Sequence, residues 1–420
     1  MSMSSSSPLI PIKLIQNARL ALKNIIVKTP LEKNVGLSKK FGANIYLKRE
    51  DLQVVRSFKI RGAYNKMSQL SQEEADKGII CASAGNHAQG VALACSTLGI
   101  KGTIYMPTTT PKQKFDRVKH FGEKWVEIIL EGDTFDDAKY TARRIANRDN
   151  LVYIPPFDDA DIIAGQGTVG LEIIEDSPVP IDYIIVSVGG GGLISGIGSY
   201  VKVVSPSTKI IAVEAAGAPS LLTAMQRGEV VELENIDGFA DGIATKSVGV
   251  LPLAICQEIV DKHILVPEGK MCAKILELYN EEAIVVEPAC ASTIAALDDL
   301  KDDLKGKNVV CVLSGGNNDI TRTEEIKERA MLYEGKKHYF VVRFPQRAGA
   351  LREFLNILGP NDDIARFEYT KKNNRESGPA LIGIELKNPE DFDELIVRLK
   401  ESNIDFEHLN KSPLLFDMLV

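Results

Sequence analysis

Basic residues are outnumbered, paired cysteines are missing, and no long apolar run is uninterrupted. The 420-residue chain carries 50 Lys+Arg against 57 Asp+Glu, a net charge of −7. That acidity argues against a nucleic acid or an anionic membrane surface as the main partner. The six cysteines are Cys81, Cys95, Cys256, Cys272, Cys290 and Cys311, and the nearest two stand fourteen positions apart. Such spacing excludes CxxC zinc and redox motifs. Single cysteines among Ala and Val predict small buried side chains in a reducing cytoplasm. The opening MSMSSSSPLIPIKLI lacks the basic region and long apolar stretch of a secretory leader, and reads as a disordered tail before a helix. Residues 183–201 are uncharged and long enough for a membrane span, but glycines and serines at their centre exclude one. A soluble, cytoplasmic protein is the expectation.

A hydrophobic fraction of 44% rules out disorder and supports a sizeable core. At about 150 residues per domain, two or three domains are expected. Short β-branched runs at 44–47, 79–82, 103–106, 183–186, 210–213 and 309–313 are each followed by turn residues and a helical stretch. Continuous apolar strands alternating with helices predict an α/β body with parallel sheets covered on both faces. Ligands of such sheets sit beyond the carboxyl ends of the strands, where loops meet helix N-termini. The pattern changes near Glu334. Strands at 338–344, 364–369, 380–386 and 405–409, with helices at 348–358 and 391–400, spell βαββαβ, a ferredoxin-like unit. The expected domains are 1–330, catalytic, and 336–420, a small α+β lobe.

Three loops carry candidate chemistry. After the strand at 183–186 come Gly189, Gly190, Gly191, Gly192 and Leu193. Glycines let successive N–H groups turn to one anion at a positive helix end. The dinucleotide fingerprint fails, because Ser195 stands where its last glycine belongs, and no GK[ST] ending follows. A single terminal phosphate is the better ligand; a merely tight turn is the alternative. Ser83, Ala84, Gly85, Asn86 and His87 form the second loop. Asn86 can donate to a phenolate-type oxygen, and His87 can bind an anion or fill a turn. In the third, Ser314 can hydrogen-bond a neutral ring nitrogen or cap a helix. Lys59, beside Phe58, is a nucleophile when burial lowers its pKa and otherwise a solvated charge. Glu287, before Pro288, reads as a helix-opening residue or a first-turn charge.

A lysine, a phosphate cradle and a partner for a ring nitrogen are what pyridoxal phosphate requires. The runs Ser57-Phe58-Lys59-Ile60-Arg61-Gly62-Ala63, Ser83 to Gly90, the tetraglycine loop and Ser314-Gly315-Gly316-Asn317 resemble the motif set of fold-type II pyridoxal-phosphate enzymes, the tryptophan synthase β-like group. Along its whole length the chain is similar to the biosynthetic threonine dehydratases, in the short form with one ACT-like regulatory lobe. Phe344-Pro345-Gln346-Arg347-Ala348-Gly349 resembles that lobe's first turn. The resemblance implies a lyase that converts L-threonine to 2-oxobutanoate and ammonia, inhibited by isoleucine, relieved by valine, and commonly tetrameric. It implies Lys59 as the cofactor's aldimine partner and catalytic base, and Asn86 at the cofactor's 3-oxygen. Backbone donors of Gly189–Leu193 would meet the phosphate, and Ser314 the pyridine nitrogen. Ser83, Ala84, Gly85, Asn86 and His87 would meet the substrate carboxylate.

Three rivals are distinguished by sequence: a catabolic threonine or serine dehydratase usually lacks the appended lobe that residues 336–420 supply here. Serine racemases share most motifs but typically carry a second serine where this chain has Ala84. An amino-acid sensor with a decayed body would have lost Lys59, Asn86 or Ser314. Two departures from the family pattern stand out. Cys290 replaces a usual glycine, which predicts altered packing, and Ser220 replaces an aspartate of the racemase cation site, which predicts no divalent metal.

Overall fold

The computed structural model describes residues 7–369 and 376–419, in two compact units, Met1–Ile320 and Thr321–Val420. The tail at 1–6, expected to be disordered, lies outside the described residues.

In the first unit, β-branched runs form two sheets. The larger has the strand order Leu31–Lys33, Asn44–Arg49, Asn308–Leu313, Tyr183–Ser187, Lys209–Ala215, Val260–Val266. All neighbours are parallel except the short Leu31–Lys33. The smaller sheet is wholly parallel, in the order Val126–Leu130, Gly102–Met106, Ile79–Ala82, Val152–Tyr153. Both faces must be apolar in such sheets, and they are: Ile79, Ile80, Cys81 and Ala82 are all buried. Ile184, Val186, Val310 and Val312 share one core with Ile194, Ile197 and Val201 of the helix Gly192–Val204. A second core joins Ile79 and Cys81 to Val91 and Cys95. All six cysteines are free and buried. Four strands lie outside the runs read from sequence: Leu31–Lys33, Val126–Leu130, Val152–Tyr153 and Val260–Val266. Their burial is partial, so their apolar signal is diluted.

Beneath the helix Lys59–Met67 lies a fully buried cluster of charge. Arg61 directs all five guanidinium N–H bonds to acceptors: Glu50 at 2.7 and 2.8 Å, Glu172 at 2.7 and 2.9 Å, and Thr168 at 3.0 Å. Lys48 completes the group, 2.6 Å from Glu172. Two cations face two carboxylates, and the cluster is neutral.

The second unit pairs its strands antiparallel in the order Asp363–Tyr369, Ser377–Glu385, Lys337–Pro345, Phe406–His408. With helices Ala350–Leu355 and Asp391–Glu401 this is the ferredoxin-like βαββαβ arrangement. Its core joins Phe340, Phe344, Phe354, Ile382, Ile384, Leu395 and Leu399. The helix Thr323–Tyr333 belongs to this unit, held there by Tyr339, whose hydroxyl donates to Glu328 at 2.6 Å. The units therefore meet near 320, earlier than the change of pattern at 334. Among the described residues no helix is long and apolar enough to cross a membrane.

Candidate active site

The tetraglycine loop follows the strand Tyr183–Ser187. Gly191 caps the helix Gly192–Val204 with φ +89°, a left-handed conformation that favours glycine. The helix therefore starts at Gly192. The first bond of the turn runs from the Ser195 N–H to the Gly191 carbonyl. Among the described residues the N–H groups of Gly189, Gly190, Gly191, Gly192 and Leu193 have no acceptor. The loop is walled behind. A Cβ on Gly190 would lie 2.1 Å from the Phe157 ring, one on Gly189 2.8 Å from Ile243, and one on Gly191 2.7 Å from Pro252. Free donors at a helix N-terminus, with the glycines sterically obligatory, make a cradle that fits a phosphate.

Lys59 opens the helix Lys59–Met67, and its Nζ donates to the Pro156 carbonyl at 2.9 Å and lies 5.3 Å from the centre of the Phe58 ring. Burial pulls its ammonium down to about 8, with Glu287 opposing the shift. A cation at the first position of a helix is disfavoured in the same sense. The amine is thus poised to lose its proton near neutral pH, as a nucleophile must.

Ser83 ends the run from strand Ile79–Ala82, and its hydroxyl accepts from the Gly85 N–H at 3.2 Å. Gly85 caps the helix Asn86–Leu98 without a side-chain bond, so the N–H groups of Asn86 and His87 have no acceptor among the described residues. Ala84 contributes only a methyl group. The His87 Nε2–H donates to the Ile154 carbonyl at 2.9 Å; burial first and the Lys59 charge second push its pKa down to about 3. The ring is neutral and fixed, so any help it gives an anion comes from its backbone. Ser314, buried at the end of strand Asn308–Leu313, accepts from the Ser187 hydroxyl at 3.3 Å, which leaves its own O–H to donate. Its carbonyl accepts the Phe58 N–H, tying this loop to the lysine.

Asn86 and Glu287 meet across 201 positions of sequence. The Asn86 Nδ2 donates to both Glu287 oxygens at 2.9 Å, while its Oδ1 accepts from Asn317 at 2.7 Å. Burial pushes the Glu287 carboxyl up to about 7 against the pull of the Asn86 bonds. A carboxyl whose pKa is higher folded than unfolded binds its extra proton only in the folded chain. The share of Glu287 in the stability of the cofactor-free protein should therefore fall as pH rises from about 4.5 to 7, with a slope approaching one proton, against the opposite trend of the buried His87. Glu287→Gln should remove that slope. Urea midpoints measured across this window decide it; an unchanged slope in the variant would assign it elsewhere.

From sequence Glu287 was read only as a helix-opening residue or a first-turn charge and Asn317 only as the end of a motif; Pro156 and Phe157 were given no role. The signal for Glu287 was present, since a residue just before Pro288 at a helix start points its backbone into a loop. Cys290 lies inside the helix Pro288–Asp299, fully buried and outside the left-handed region, so no glycine conformation is needed there. The stretch around Ser220 is occupied differently as well. Glu214, wholly buried, accepts the N–H groups of Leu221 at 2.6 Å and Leu222 at 2.9 Å and the His263 Nε2–H at 2.7 Å. Its oxygens are committed to capping a helix.

The phosphate cradle, the lysine of lowered pKa, the Ser314 hydroxyl and the Asn86 amide converge as pyridoxal phosphate requires. Residues 22–315 match the family of pyridoxal-phosphate-dependent enzymes, and residues 328–419 the C-terminal regulatory domain of threonine dehydratase. The biosynthetic L-threonine dehydratase of Halalkalibacterium halodurans is 57% identical over 96% of this chain and 97% of its own length. That of Bacillus subtilis is 55% identical over 98% of each. Among solved structures, the processed threonine deaminase isoform 2 of Solanum lycopersicum superposes with a TM-score of 0.73 at 42% identity, covering 76% of this chain and 93% of that one. Maize serine racemase gives 0.71 at 30% identity, covering 78% and 99%. The chain belongs to the pyridoxal-phosphate-dependent enzymes, among the biosynthetic threonine dehydratases that carry a single C-terminal regulatory domain.

Proposed function

We propose that this lyase converts L-threonine to 2-oxobutanoate and ammonia, as a feedback-controlled first step of isoleucine synthesis. The observation that carries the reading is Lys59, an amine of lowered pKa set among a phosphate cradle, Asn86 and Ser314. When bound, pyridoxal phosphate supplies the electron sink that makes an α-proton removable. The N–H groups of Gly189, Gly190, Gly191, Gly192 and Leu193 hold its phosphate. Asn86 donates to its 3-oxygen and Ser314 to its ring nitrogen, with Phe58 alongside Lys59. Donors at the start of helix Asn86–Leu98 and in Ser83-Ala84-Gly85 orient the substrate carboxylate. Lys59 takes the α-proton at Nζ. Ser314 at the ring nitrogen, unlike an aspartate, would not force that nitrogen to be protonated, which would suit an elimination better than a long-lived carbanion. Ala84 has no proton to give to the opposite face, so D-serine formation should be minor. The six free, buried thiols fit a cytoplasmic location.

In the second unit a cavity of about 470 Å3 is lined by Phe344, Ala350, Leu351, Leu355 and Phe367, with Arg347 and Arg352 among its walls. Apolar walls and cations suit the side chain and carboxylate of a branched amino acid, and this is the proposed seat of isoleucine and valine. Formation of 2-oxobutanoate from L-threonine by the purified chain tests the whole reading. Turnover should appear, fall with added L-isoleucine and survive EDTA, because Ser220 stands where the racemase cation site has a carboxylate. Absence of turnover with cofactor bound would remove threonine as substrate. Turnover indifferent to isoleucine would remove only the effector.

A further inference from the structure

The Asn86 amide could sit either way round in a polar site, and only one orientation presents N–H bonds to an acceptor. Its neighbours fix the choice. Asn317 Nδ2 donates to the Val55 carbonyl at 2.9 Å and to the Asn86 Oδ1 at 2.7 Å. A backbone carbonyl only accepts, so the amide of Asn317 cannot turn over without orphaning Val55. One N–H of Asn317 is thereby committed to Val55, and the other is left for the oxygen of Asn86. The Asn86 Nδ2 is then turned away from Asn317, and both Glu287 oxygens lie 2.9 Å from it. Polarity runs in one direction, from Asn317 through Asn86 to Glu287.

The frame around this chain is equally determined. The Gly316 N–H donates to the Arg56 carbonyl at 2.9 Å, and Ser57 bridges Gly315, so the loop bearing Asn317 is bonded to the segment that leads into Lys59. Arg56 adopts φ +56°, uncommon for a residue with a side chain, at the point where that segment turns. Gly315 leaves room for the acceptor: a Cβ there would lie 2.5 Å from the Glu287 Oε1 and 3.3 Å from the Asn86 Nδ2.

We propose that Asn317 is a positioning residue of the cofactor site, acting through Asn86, whose amide it locks with both N–H bonds turned toward Glu287 and the cofactor's 3-oxygen. The inference rests on the reading that Asn86 meets the cofactor. One N–H of Asn86 would serve the cofactor and the other Glu287, while the bonds of Asn317 go to Val55 and Asn86. Released from Asn317, the amide can rotate and present its oxygen to an oxygen.

The test is a double-mutant cycle on pyridoxal-phosphate affinity, measured by titrating the full-length apoprotein and following the cofactor's visible absorption. Asn317→Ala should weaken binding about tenfold, the worth of a lost hydrogen bond, and shift the absorption maximum of what binds. In an Asn86→Ala background the same substitution should change affinity less than about twofold, because nothing remains to position. Losses that multiply would overturn the proposal while leaving the role of Asn86 intact. An Asn86→Ala protein that binds as tightly as the parent would overturn both. The isosteric Asn317→Asp keeps the loop's volume and should bind more weakly than Asn317→Ala, since a carboxylate donates neither to Val55 nor to Asn86. Parent-like affinity in that variant would sink the idea whether or not the alanine variant folds.

Discussion

Replacing Lys59 with alanine should abolish turnover of L-threonine, by at least about 10⁴-fold, and erase the visible band of covalently held cofactor. One amine performs two tasks here, covalent attachment and removal of the α-proton, and neighbouring side chains offer no substitute. His87 is the nearest candidate in kind, but its Nε2–H is committed to the Ile154 carbonyl and its pKa sits near 3. The remainder of the site should persist. Gly189, Gly190, Gly191, Gly192 and Leu193 keep their N–H groups, so the variant should still bind pyridoxal phosphate reversibly. Turnover above a hundredth of the parent's, or a retained covalent band, would transfer the chemistry to another residue.

The largest effect on stability should come from the buried charges under the same helix. Glu172→Ala removes a carboxylate that serves both Arg61 and Lys48 and leaves two cations in the interior with one carboxylate between them. Breaking a buried ion group from one side costs about 3–5 kcal/mol, because the orphaned charge cannot be rehydrated. A control lies three residues further along the helix Ala160–Asp176, which carries Glu172. Glu175 pairs with Arg19 at the surface, where such pairs contribute about 0–1 kcal/mol. Urea midpoints of Glu172→Ala and Glu175→Ala should therefore differ widely; similar midpoints would mean that water reaches the cluster. Arg61 stands two residues after Lys59 on the helix Lys59–Met67, so softening here should also loosen the lysine.

Both charge clusters mark the limit of what is legible in the sequence. Apolar runs at 79–82 and 309–313 announced parallel strands because both faces of each are buried, and the glycine run announced a cradle because nothing else explains four glycines. The ferredoxin-like order of the C-terminal unit was legible for the same reason, alternation matched to turns. Charged residues carry the opposite presumption, since most are solvated. Glu50, Arg61 and Glu172 gave no sign of burial, because their partners lie 11 and 111 positions apart. Asn86, Glu287 and Asn317 depend on pairings over 201 and 231 positions, which only the folded chain creates. Phe157 belongs to no motif at all. It matters because of where the loop behind Pro156 passes, a property of tertiary packing rather than of pattern.

That ring constrains inheritance. With Gly190 backed against Phe157, any change in the coding sequence that adds even a methyl group at 190 collides with an aromatic side chain. The collision is relieved only by a smaller residue at 157. A smaller residue at 157, arriving first, leaves a void behind the phosphate cradle and is itself selected against. Neither position can drift alone. The two are best regarded as one heritable unit, in which a lineage crosses from one pair to another through a weakened intermediate or keeps the pair it has.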